Sequence, residues 1–210
     1  PYLATKTLDD AIQASEINRI DVLHLDSCSM NLLETAYELR EVVDYLVASQ
    51  YLMWADFSYY RSIQQLTSET LPQALAQIVA QNYVLSRPAA TPYTISVIEL
   101  EQVDEVMHVF DDLATDLLHQ IEAKQITLQA LKAIRHQSQV LESVYEPNEY
   151  VLEADKDFYI DLADWATQLV ISPATAATTK EKATALLAKL EEVSGFVVVQ
   201  DWSSGDIENE

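Results

Sequence analysis

Ile20–Gln50, IDVLHLDSCSMNLLETAYELREVVDYLVASQ, is the stretch whose reading decides the fold of this chain. It opens with an apolar run, Ile20 to Leu25, which stops at the turn-prone Asp26-Ser27-Cys28-Ser29. From Met30 to Val43 apolar residues recur at helical spacing (Leu32, Leu33, Ala36, Tyr37, Val43), while Glu34, Glu38 and Glu41 mostly turn outward. A second apolar run, Tyr45 to Ala48, closes the stretch within a strand spanning Asp44–Ser49. Strand, helix, strand within about thirty residues is the βαβ unit of a parallel sheet. The only cysteine of the chain, Cys28, sits where the first strand ends. In open α/β sheets, ligands and chemistry collect outside the carboxyl ends of the strands.

Working outward, Lys6–Glu16 reads as a helix, with Thr7 as its cap and Leu8, Ala11, Ile12 and Ser15 on one face. Arg19–Leu25 is the first strand. Gln50–Ser58 is aromatic and irregular, and Tyr59–Leu66 is helical. A helix opens at Ser68 and reaches Leu85, with Pro72 tolerable in its first turn. Tyr93–Ile98 alternates and is rich in β-formers, so it is a third strand. Beyond Glu99 the pattern is helical: a stripe of Val103, Val106, Phe110, Leu113 and Leu117, a helix Leu128–Val144, and a break at Pro147-Asn148-Glu149. A helix Asp157–Val170 follows, with Phe158, Leu162, Trp165 and Leu169 inward, and then a helix Lys180–Val193. Gly195 is a helix stop and Phe196–Val199 a short last strand. The fold class is α/β and helix-rich. Its expected divisions are a cysteine-bearing α/β portion over 1–100, a helical continuation packing on it over 101–200, and a polar tail over 201–210.

Twelve basic residues stand against 34 acidic ones, a net charge of −22. Nucleic acid and anionic membranes are poor partners for such a surface, whereas cationic peptides and divalent metals suit it. No apolar run reaches the roughly 18 residues of a membrane span. Only two glycines occur, so few positions rest on left-handed backbone, which favours helices joined by short loops.

A thiol reacts as thiolate, and a helix N-terminus or a neighbouring imidazolium favours that form. Cys28 precedes the helix expected from Met30, which offers the first of these. The opposing reading, a buried inert cysteine, is common for free thiols. A nucleophile also needs a base in hydrogen-bond reach. Of the four histidines, His24 stands four strand residues away, roughly 13 Å at the rise of a strand. His108, His119 and His136 belong to long helices among carboxylates. No complete dyad is legible.

The residues around Cys28 resemble the clostripain family of caspase-like cysteine peptidases. The likeness is carried by Asp26-Ser27-Cys28-Ser29-Met30-Asn31, by Leu33-Glu34-Thr35-Ala36-Tyr37-Glu38-Leu39, and by Asp44-Tyr45-Leu46-Val47-Ala48-Ser49. It continues through Ala76–Tyr83, Tyr93–Leu100 and the helix after it, to about Leu169. The resemblance implies a caspase-like parallel-sheet core, without its N-terminal strands in this chain, and Cys28 as nucleophile. It places Asp26 in the floor of the pocket for the residue before the scissile bond, where a carboxylate matches the Arg or Lys that the family prefers. Capping the helix start is the local alternative for Asp26. Asp56 is a candidate second pocket carboxylate. The family's catalytic histidine lies upstream of the cysteine, which here means before Pro1. The implied partners are therefore a peptide or protein substrate and an N-terminal, histidine-bearing chain of the same precursor. No cofactor is required. Ca2+ is implied by the resemblance and suits the acidic surface, although EF-hand spacing is missing. A secreted or cell-envelope location is implied as well. Ser29 and Asn31 depart from the family's usual Leu and Gly, and Gln50–Ser58 lacks its usual Gly and Pro. These departures leave open a rival reading, an inactive caspase-like homologue that acts as a binding or assembly module. An acidic helical interaction protein is a more distant third.

Overall fold

The computed structural model describes residues 5–50, 53, 59–86, 93–139, 145–146, 149–150, 159–193 and 196–200. The chain forms two compact units, Pro1–Val103 with Val193–Glu210, and Asp104–Glu192.

The first unit is built on β2 (Val43–Ala48), whose Val43, Leu46, Val47 and Ala48 are fully buried. β2 pairs in parallel with β1 (Ile20–His24) on one side. On its other side it pairs antiparallel with β3 (Tyr93–Glu99), and β6 (Phe196–Gln200) runs antiparallel beyond β3, giving the order β1-β2-β3-β6. The fold is α/β and helix-rich, and among the described residues parallel pairing is confined to β1 and β2. Because β3 runs back against β2, the chain enters β3 at the edge where it left β2. The carboxyl ends of β1 and β2 therefore share an edge with the first residues of β3.

Helix α1 (Thr5–Gln13) packs against α2 (Leu33–Leu39). Helix α3 (Tyr59–Gln64) leads to α4 (Pro72–Leu85), which lies across β1, β2 and β3. Pro72 stands in the first turn of α4, where a missing N–H costs nothing. Ala76, Val79, Ala80 and Tyr83 of α4 close on Val47, Tyr93, Ile95 and Val97 of the sheet. The Tyr83 and Tyr93 rings meet edge to face at 6.0 Å. A polar pin ties α3 to α4: the buried Asn82 amide donates to Ser62 Oγ at 3.2 Å and accepts from Gln65 Nε2 at 3.2 Å.

The second unit contains α5 from Asp104 onward (the helix spans Val103–Glu122), α6 (Leu128–Gln137), α7 (Leu162–Ile171) and α8 (Ala177–Val193). It also holds a two-stranded ladder, β4 (Tyr145–Glu146) with β5 (Glu149–Tyr150), at the expected Pro147 break. Along the α5 stripe Val103, Val106, Leu113 and Leu117 are buried and Phe110 is half-buried, its ring 6.4 Å from Trp165 of α7. Thr127 and Asp161 cap α6 and α7 by accepting from the Ala130 and Asp164 amides. The expected Phe158 contact and the Gly195 stop lie outside the described residues.

Candidate active site

β1 ends at His24, and the ladder reaches one residue further, where the Leu25 N–H donates to Val47 O at 3.0 Å. The chain then turns. Asp26, Ser27 and Cys28 are exposed, and Ser29 takes φ 53, a left-handed backbone that glycine adopts without cost. After the turn, the Met30 and Asn31 amides both donate to the Ser49 carbonyl at 3.0 Å. The Asn31 side-chain amide is buried and bonds Ser96 Oγ of β3. Ser49 Oγ in turn meets Thr94 Oγ1 at 2.9 Å. The turn that presents Cys28 is thus clamped to the ends of the two neighbouring strands.

This clamp corrects the expected helix. With the Met30 and Asn31 amides committed to Ser49, and Leu32 extended at φ −111 and ψ 149, the helix starts only at Leu33. It stops at Leu39, because Val42 donates back to Leu39 O and Val43 already belongs to β2. The helix has seven residues and begins five beyond Cys28, not directly after it as expected. The capping alternative for Asp26 falls for the same reason: the cap position is Leu32.

Two other groups surround the edge. The Met53 backbone lies on the Cys28 sulfur, its N–H donating to Sγ at 3.2 Å and its carbonyl 3.8 Å from Sγ. Tyr59, the first residue of α3, donates its phenol to Asp26 Oδ2. Its ring also meets the His24 imidazole edge-on, with centroids 6.1 Å apart. Burial pushes the Tyr59 phenol up to about 12, helped by the bond to Asp26 and by that carboxylate's charge. Burial lowers the pKa of the His24 imidazole, and the Asp26 charge opposes the shift. The structure therefore joins Asp26, Tyr59 and His24 to one another, with Asp26 two residues before Cys28 on the same turn. Asp56 lies outside the described residues. His108, His119 and His136 are exposed on α5 and α6. Tyr59 and Met53 carry no sequence signal for these roles, since their partners stand 33 and 25 residues away.

Among the described residues no group of three or more His, Cys, Asp or Glu could hold a metal ion. No described helix is long and apolar enough to cross a membrane.

An α/β sheet that lifts an exposed cysteine at the end of a strand has the architecture of the caspase-like cysteine peptidases. The sequence profile of the clostripain family matches residues 2–206, and the chain belongs to that family. No curated protein sequence matches it. Among solved structures it is similar to a clostripain from Bacteroides thetaiotaomicron in complex with a peptide inhibitor, at 18% identity and TM-score 0.59, covering 93% of this chain and 74% of that one. It is also similar to an inactive zymogen C11 protease from Parabacteroides distasonis, at 21% identity and TM-score 0.62, covering 91% and 46%. A secreted C11 cysteine protease from Bacteroides thetaiotaomicron gives 18% identity and TM-score 0.65, covering 92% and 47%. The chain spans about half the length of the last two. At these identities the likeness is one of fold.

Proposed function

We propose that this chain is the cysteine-bearing portion of an endopeptidase that cleaves after Arg or Lys. The observation that carries the reading is the shared edge: Cys28 is exposed there, and the exposed Asp26 stands two residues before it on the same turn. Cys28 Sγ attacks the substrate carbonyl carbon, while an imidazole from an upstream segment of the precursor takes the thiol proton. That proton passes to the leaving amine as the C–N bond breaks, and water then hydrolyses the thioester. The Met30 and Asn31 amides are already committed to Ser49. Other backbone N–H groups near the Cys28 turn stabilise the oxyanion.

The place for the histidine-bearing segment is the outer side of β1, the edge strand of the described sheet. Val22, Leu23 and Leu25 are only half-buried there, whereas β2 is largely enclosed. The Parabacteroides distasonis relative is an inactive zymogen, which supports a precursor, and the secreted relative supports an extracellular or envelope location. Asp56 stays a candidate second carboxylate of the pocket. Ca2+ belongs to this reading only as an accessory ion, and activity unchanged by chelator removes it. The contact of the Met53 backbone with the sulfur favours a second reading, an inactive homologue with its thiol already engaged.

An Arg-directed, thiol-reactive peptide probe tests the proposal on the protein together with its histidine-bearing segment. Labelling that Cys28→Ala abolishes is the expected result. A folded protein that takes no label overturns it.

A further inference from the structure

The bond from Tyr59 to Asp26 has no part in the mechanism above, and the fold goes to some length to hold it. Asn82, buried in α4, fixes α3 through Ser62 and Gln65, and α3 begins at Tyr59. The His24 ring braces the Tyr59 ring from β1. The phenol oxygen then reaches Asp26 Oδ2 across 33 residues of sequence. Both contacts of Tyr59 lie on one strand and its extension, two residues apart, so they share a side of the chain. A lone exposed carboxylate on a turn samples several rotamers, and recognising a cation with it requires ordering it first. A phenol donor bonded to one carboxylate oxygen supplies that order in advance. It leaves the other oxygen to accept from an ammonium or guanidinium, and charge-assisted bonds of this type are the strong ones.

We propose that Tyr59 is a positioning residue for basic specificity, holding Asp26 through Oδ2 so that Oδ1 receives the cationic side chain before the scissile bond. This rests on the reading of Asp26 as a pocket residue. With its pKa raised to about 12, the phenol remains a donor over the whole working range of pH.

The test uses the protein with its histidine-bearing segment and four peptides that differ only before the scissile bond: Arg, Lys, citrulline and norleucine. Citrulline keeps the shape of Arg without its charge. For Tyr59→Phe, the Arg-over-citrulline ratio of kcat/KM is expected to fall roughly tenfold, with the change residing in KM. Asp26→Asn is expected to lose the preference altogether, and adding Tyr59→Phe to it to change nothing more. A uniform loss over all four peptides, or an unchanged ratio, overturns the role of Tyr59 while leaving the pocket intact. An Asp26→Asn protein that still prefers Arg to citrulline overturns the pocket reading, and this inference with it.

Discussion

His24 and Tyr59 touch, and burial moves both away from their ordinary proton affinities. His24 binds its proton less readily in the fold than in the unfolded chain, where its pKa is about 6.5. Stability is therefore complete above that value and declines as the pH falls through it, levelling off once the folded imidazole is also charged. Replacing His24 with Gln should flatten this part of the stability profile in urea melts between about pH 7 and pH 5. Tyr59 shows the opposite sign. Its neutral form is favoured up to about 12, so Tyr59→Phe should remove one phenol from the late-titrating part of a tyrosinate absorbance titration, to which the upward-shifted Tyr45 and Tyr93 also contribute. The sequence marks Cys28 and Asp26 by their place at the end of an apolar run. Met53 comes from a distant irregular stretch and Tyr59 from the start of a legible helix, but spacing does not tell where that helix lands, and the packing of α3 and α4 brings Tyr59 to the edge.

At the scale of elements, period and apolar content made β1, β2, β3 and α4 legible, because each buries a face that its pattern advertises. The start of α2 was not legible. Met30 and Asn31 suit a helix by pattern, but a single carbonyl beyond β2, that of Ser49, captures both amides. Such a competition between local and long-range bonds leaves no mark on spacing. Two substitutions probe these elements. Ser29→Gly removes the cost of a side chain at φ 53 and should leave stability unchanged or raise it by up to about 1 kcal/mol. Asn82→Ala leaves Ser62 and Gln65 without their partner on α4, and a loss of about 1–3 kcal/mol is expected in denaturant melts. If α3 is otherwise well anchored, that loss will be absent.

For the whole molecule, the net charge of −22 sets a long-range field that draws cationic peptides and repels anionic ones. On the proposed function, cleavage of Arg peptides should slow as salt rises from about 0.01 M to about 1 M, through KM, because the screening length shrinks from roughly 30 Å to 3 Å. A neutral peptide should show a much weaker dependence. The acidic balance is legible at once from composition, and the α/β class from the strand, helix, strand order of Ile20–Gln50. The return of the last strand to the first unit, where β6 joins β3, is not, since no local pattern says which partner a short β-branched run will choose.

The strand that carries the chain toward Cys28 is also the border of the sheet that the described residues form. A half-covered border of Val22 and Leu23 is a template for extended chains of any origin, another copy of itself included. Prepared without a covering segment, the protein should drift toward fibrillar or amorphous assemblies on storage, followed by thioflavin fluorescence or turbidity. Charge repulsion would delay that drift and salt would hasten it, so the acidic surface doubles as a keeper of colloidal shelf life.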